Sequence, residues 1–520
     1  MPKPATFLVI LISLGVIAGV WLWSGLPRAD ALQPGAPGAP AETITAKEQP
    51  AAPRPVEATE DLKKQITLLE GQVEYLQGQV KALQDENAGL IQKLGSLGMK
   101  GAPMADRPST PGLKEDEPPD YVTLGTELLS LRKLRAVPMV TVLAPQAEVE
   151  KSILAWLRRR FPGDESQRQS KALAALGVIP QPVDILPLRA ALMVRQLGGW
   201  FDAESETVFL VDPQAAPDKP PPPTDPVLAL AFAQVLRDYQ NALFPETQTR
   251  FTTDAQVARE AVIGGDAALT RFLYSLKNPV PVNANELPPS DPDHPFNEVP
   301  LPLFLREMHL FAFTRGFEFA QSLHSAGDFK QLSSAYSRPP ASTAEIIDPE
   351  IYLAENPPPP VKIEWPDAAV AGARPYWDDT LGRYASFVLL RAHNPDEAAF
   401  DAVKNWRADR LLAFAAEGST RDHIVWQTQW PGAGDARLFF KALRSSLLQR
   451  YDQPGADAAA GDGGDGEAAM LEFSAQERFI HLSRNRQGAG VLLIDAATGD
   501  FRKAARERFA ETAKARPGSN

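Results

Sequence analysis

The chain has 520 residues, of which 44% are hydrophobic and 23% charged, with a net charge of −12 and no cysteine. That composition supports a large folded core and excludes disulfides, thiolate metal sites, cysteine nucleophiles and a lipid-modified cysteine anchor. The acidic balance leaves no basic footprint for nucleic acid, and 49 prolines place part of the length in linkers.

From Thr6 to Leu26 the sequence carries no charge. At about 1.5 Å per residue such a helix spans a bilayer core of about 30 Å. Trp21 and Trp23 close the run where aromatic rings favour the interface. Residues 1–26 are therefore expected to form an uncleaved single-pass signal anchor, because the apolar core of a cleaved signal peptide is shorter. Ala29-Asp30-Ala31 keeps open the rival, cleavage after Ala31. Lys3 on one side, against Arg28 with Asp30 on the other, gives a small positive-inside bias that puts the amino terminus in the cytoplasm.

Residues 27–60 are rich in Pro and Ala and read as a semi-extended tether. In residues 61–95 apolar positions recur at alternating spacings of four and three. Leu62, Leu69, Leu76, Leu83 and Leu90 take the d positions, and Ile66, Val73, Val80, Asn87 and Leu94 the a positions. Branched residues at a with Leu at d favour a parallel two-stranded coil, and one buried Asn at a fixes its register. The flanking e and g positions are mostly Gln, so partner choice is not electrostatic and a homodimer is the simplest expectation. An amphipathic helix packed on its own domain is the alternative. Residues 96–120 form a second linker.

From residue 121 to 516 the composition becomes globular and exceeds the ~250–300 residues of a usual single core. Proline-rich or low-complexity insertions at 213–226, 278–302 and 453–468 account for part of the excess. Helices are expected near 146–161, 166–176, 186–197, 227–241, 254–276, 303–324, 380–391, 396–415 and 434–450. An extended run at 207–211 and a hairpin of strands near 477–484 and 490–495 complete an α+β domain in which helix dominates.

Six segments, in order, resemble a bacterial zinc metallopeptidase family of the HExxH, gluzincin-like type. They are LGVIP (Leu176–Pro180), the stretch through Gln196, Gly199, Trp200, Phe201, Asp202, Thr207 and Val208, RGFEF (Arg315–Phe319), PPASTAEIIDPEIYL (Pro339–Leu353), NWRADR (Asn405–Arg410) and VWQTQW (Val425–Trp430). The resemblance covers roughly 146 to 495 and implies a metallopeptidase-like fold in a bacterial inner membrane, with the bulk of the chain periplasmic. It also implies where zinc chemistry belongs: two His one turn apart on a helix, a Glu between them as general base, and a Glu from a later helix as third ligand.

This chain departs from that pattern at every one of those positions. Leu230 and Gln234 stand where the two His belong, Ala231 where the catalytic Glu belongs, and Gly264 where the third ligand belongs. Leu, Ala and Gly offer no lone pair and a neutral Gln amide is a poor zinc ligand. These four are degenerate former-site positions, with no catalytic residue, no metal and no cofactor expected. The six His form no i, i+4 pair, Asp348 replaces a His of the family motif, and Glu260 reads as a solvated helix residue. Asp409 with Arg410 reads as a structural lock of helix onto sheet rather than a catalytic pair. The sequence thus points to a non-catalytic binding or scaffolding module, paired with itself through the coil, anchored in the membrane and holding a peptide or protein in the former cleft. Two alternatives stand beside it: a hydrolase with a rebuilt active site, and a structural envelope spacer.

Overall fold

The computed structural model describes residues 120–510, apart from 135–138, 213, 216–224, 246–249, 279–298, 356–360, 366–367, 454–468 and 485–488. The anchor, the tether, the coiled coil with its positions from Leu62 to Leu94, most of the linker and most of each insertion lie outside these residues. Among the described residues no helix is long and apolar enough to cross a membrane.

The chain opens on α1 (Tyr121–Arg132), β1 (Val140–Ala144), α2 (Gln146–Arg160), α3 (Glu165–Leu176) and α4 (Ile185–Leu197). The hairpin β2 (Gly199–Asp202) and β3 (Thr207–Val211) follows. The three strands form one sheet in the order β1-β3-β2, with β1 parallel and β2 antiparallel to β3. Three long helices come next: α5 (Pro226–Leu243), α6 (Thr253–Ser275) and α7 (Leu303–Ser337). α7 continues past the expected 324, but its path breaks at Gly327 and Asp328, whose backbone is not helical.

The second half adds the short helices α8 (Thr343–Ile347) and α9 (Pro349–Leu353), β4 (Trp377–Asp379), α10 (Gly382–Arg391) and α11 (Asp396–Val403). The expected helix 396–415 ends at Val403; Ala408–Phe414 is instead β5, a short, mostly apolar run that periodicity alone does not separate from buried helix. β6 (His423–Gln429), α12 (Ala433–Arg450), β7 (Ala469–Ala475), β8 (Arg478–Arg484), β9 (Gly490–Ala496) and α13 (Gly499–Ala510) complete the fold. Six strands form an antiparallel sheet in the order β4-β5-β6-β9-β8-β7.

Side chains alternate across that sheet because strand period is two. Leu411, Ala413, Trp426, Leu482 and Leu493 join the main core with the helices. Leu412, Phe414, Val425, Leu492 and Ile494 face the other way, against Phe501, Ala505 and Phe509 of α13. The α6–α7 pair needs its glycines for another reason: a Cβ at Gly265 would overlap the carbonyl of Gly316, and one at Gly316 that of Ala261. The two backbones are in direct contact there.

Candidate functional site

α5 starts where the sequence places its boundary. The Asp225 carboxylate accepts from the Leu228 N–H at 2.9 Å, and Pro226 at the first turn has no N–H to satisfy. The following run VLALAFAQVL is apolar all round but for Gln234, and this part of the helix is enclosed. Leu230, Ala231 and Gln234 are each 1% exposed. The Gln234 amide donates to the Gly125 carbonyl of α1 at 2.7 Å. Gly264 faces a different neighbour: a Cβ there would sit 2.7 Å from the Ala312 carbonyl oxygen of α7. The first three positions therefore share one buried helix, while the fourth belongs to the α6–α7 seam.

These residues do not fit zinc. Three have no donor atom, and the one amide is committed to a backbone carbonyl. Among the described residues no three His, Asp or Glu come together as a metal-holding group. Where the sequence places the former cleft, α1 and α7 pack directly against the four positions. Next to them, Asp266 is held by Arg132 through two hydrogen bonds of 2.7 Å and by the Tyr336 hydroxyl at 2.7 Å. This fully buried pair joins α1 to α6 and α7.

An open cleft lies instead around the C-terminal half of α5. Its volume is about 810 Å³, and its lining includes Arg160, Glu165, Arg237, Asn241, Arg250 and Glu260. Glu260, expected in solvent, is 18% exposed and accepts from Arg189 at 2.6 Å and Gln256 at 2.9 Å. The Arg160 guanidinium lies 4.9 Å from the Trp156 ring and 4.3 Å from that of Phe244. Arg250 sits 4.1 Å over Trp377 and pairs with Glu165 at 3.1 Å. Burial pushes the Glu165 carboxyl up, against the pull of Arg250. Guanidinium planes held on aromatic rings are prepared to meet carboxylates or further rings.

A second polar cluster sits where α6 meets the six-stranded sheet. Asp379 accepts from the Thr253 N–H at 2.8 Å, its hydroxyl at 2.6 Å and Trp377 Nε1 at 3.2 Å, capping α6. Asp409 accepts from the Leu381 and Gly382 N–H groups, both at 2.8 Å, and from Trp426 and Trp406 Nε1 at 3.1 and 3.0 Å. Asp254 accepts from the Thr343 N–H at 2.8 Å and its hydroxyl at 2.5 Å, capping α8. Burial pushes Asp254 up to about 8 and Asp409 to about 6, and it raises Asp379 as well. Asp409 thus ties a helix start to a strand. Its neighbour Arg410 points away, to Asp378 at 2.7 Å, as alternation along β5 requires. Asp348 pairs with Arg383 at 2.5 Å.

The histidines are spread through the fold. Burial takes His309 down to about 3 and His423 to about 4, and His423 Nδ1 accepts from the Ala497 N–H at 3.0 Å. His324 pairs with Asp328 at 2.9 Å. His393 lies in the turn just after α10, and His294 lies outside the described residues. One arrangement escaped the sequence reading. His481 on β8 meets Glu472 through Nδ1 at 2.7 Å and the Ser483 hydroxyl through Nε2 at 3.0 Å. The available signal was H-x-S on a strand, with an acid at the cross-strand position of the preceding strand.

A family model described as "Domain of unknown function (DUF8575)" matches residues 374–505, which takes in the six-stranded sheet from β4 to β9 and the start of α13. No curated protein and no solved structure matches the chain.

Proposed function

We propose that the chain is a membrane-anchored, coiled-coil-paired and non-catalytic metallopeptidase-like domain that acts as a binding or scaffolding module in the cell envelope. The observation that carries this reading is the enclosure of Leu230, Ala231, Gln234 and Gly264 in helix packing with no metal ligand among them. Binding falls to the cleft beside α5. Its guanidiniums on aromatic rings, interleaved with carboxylates, suit an extended peptide carrying side chains of both signs. Elemental analysis and incubation with a peptide library test it on the purified chain. The expected result is no stoichiometric zinc and no cleavage, with retained peptides lost in Asn241→Trp, which fills the cleft from an exposed helix position. Stoichiometric zinc with cleavage would sink the reading.

A second reading, a hydrolase with a rebuilt site, draws on the Glu472–His481–Ser483 array. An acid on Nδ1 orients the ring so that Nε2 draws the proton from the serine hydroxyl. A hydrolase would also need a cleft beside Ser483 and backbone N–H donors placed for an oxyanion. Fluorophosphonate labelling of the wild type, compared with Ser483→Ala, separates the two. Labelling confined to Ser483 would favour the hydrolase, and equal background the binding module.

A further inference from the structure

A pocket of about 140 Å³ lies between the end of α3, the start of α7, α10 and α12. Its walls are aliphatic: Leu176, Val388, Leu389, Leu443, Leu447 and Leu493. Leu303, 61% exposed, belongs to the same lining. That volume holds roughly ten water-sized probes, enough for a short aliphatic chain. An apolar cavity by itself selects for shape alone. This one has a cation in its wall.

Arg450, the last residue of α12, lines the pocket, and its guanidinium packs directly on the Cα of Gly177. Among the described residues it forms no ion pair; its hydrogen-bond partner is the Tyr451 hydroxyl. That hydroxyl already donates to Asp495 at 2.6 Å. Asp495 is in turn occupied by Arg478 at 2.6 Å and faced by Arg421 at 3.6 Å. One buried carboxylate therefore serves three guanidiniums, and Arg450 is the one farthest from neutralisation. Burial pushes its pKa down, and burial together with Arg450 does the same to His393 on the pocket wall. The Ser446 hydroxyl, also in the lining, accepts from Asn394 at 2.8 Å and retains its own proton to donate. A partly buried cation with no acid in direct contact is costly, and a bound anion relieves that cost.

We propose that this pocket binds an aliphatic carboxylate, its chain among the leucines and its head on Arg450. The same chemistry is presented by a free medium-chain fatty acid and by the C-terminus of a peptide ending in an aliphatic residue. The test uses the purified full chain and an octanoate carrying a diazirine in its tail, with crosslinks located by mass spectrometry. Expected is labelling of the pocket walls, displaced by octanoate but not by octanol or octylamine, and lowered at least tenfold in Arg450→Gln. Leu389→Trp, which fills the pocket and leaves Arg450 in place, abolishes it. Displacement by a leucine-terminated peptide but not its C-terminal amide also supports carboxylate capture, and its affinity relative to octanoate tells which source is preferred. Equal displacement by octanol and octanoate, unchanged labelling in Leu389→Trp, or no pocket labelling in the wild type overturns the proposal.

Discussion

Two buried regions treat polarity in opposite ways. Along α5 and the α6–α7 seam, the positions to which the resemblance would assign zinc ligands hold Leu, Ala, Gly and one amide tied to a carbonyl. Where α6 meets the six-stranded sheet, the chain buries three carboxylates, Asp254, Asp379 and Asp409. The difference lies in who supplies the hydrogen bonds. A ligand set needs a metal to satisfy it, whereas each buried aspartate is satisfied by the N–H groups at a helix start, where the macrodipole also favours negative charge. Buried polarity in this molecule accompanies internal partners: beside the first region one aspartate, Asp266, is matched by Arg132 and Tyr336, and at the second three aspartates are matched by three helix starts.

That contrast can be broken in four places. The largest effect is expected for Asp409→Ala, which orphans two backbone and two indole N–H groups; about 4 kcal/mol of stability should go, read by urea denaturation. A loss below about 1 kcal/mol would mean that the junction is not held by its carboxylates. Gly265→Ala follows, at about 3 kcal/mol, because the new methyl meets the Gly316 carbonyl rather than a movable side chain. A fully tolerated alanine would show that the α6–α7 seam is looser than described.

The third test is pH. Asp254 and Asp409 titrate at about 8 and about 6 in the folded chain, above the usual carboxylate value of 3.8. A raised folded pKa means that the native state binds more protons than the unfolded one, so the contribution is full below about pH 4 and is lost as pH rises through 6 and 8. The buried histidines, lowered in the fold, oppose this below about pH 6.5, so denaturant midpoints measured between about pH 7 and 8.5 should fall, and Asp254→Asn should flatten the slope. A midpoint that rises through this window would contradict the burial of these groups. The smallest effect belongs to the first region: Gln234→Leu removes one hydrogen bond and leaves the Gly125 carbonyl bare, for about 1 kcal/mol. A cost several times larger would show that the amide is a structural keystone there.

The two regions also differ in how far the sequence reveals them. Asp225-Pro226 marks the start of α5 through local chemistry that any reader of the chain can apply, and the long apolar helices follow from their periodicity. β5 does not, since Ala408–Phe414 pairs one Asp and one Arg with five apolar residues and shows no clean alternation, and its identity as strand is decided by β4 and β6 on either side. β1, β4 and β6, like α1, take their place from distant partners; α1 is fixed by Arg132 reaching Asp266 and by Gln234 reaching back to Gly125. The four positions of the first region can be singled out in sequence only because a resembled motif says where to look. The carboxylate cluster is not, because Asp254, Asp379 and Asp409 come from three separate segments and each meets a helix that starts elsewhere. Glu260 was misjudged for the same reason: its partner Arg189 comes from α4.

The backbone contact between α6 and α7 carries a consequence for reversibility. Under the proposed kinship with zinc peptidases, regaining a glutamate at Gly264 would require its side chain to pass through the Ala312 carbonyl, and the neighbouring Gly265 and Gly316 hold the two helices too close for either to yield. A single codon change therefore does not reopen the way back. Helix spacing would have to widen first, through substitutions that bring no catalytic return of their own. On that kinship, any loss of the glutamate is held in place by the spacing of two helices, a ratchet rather than an omission.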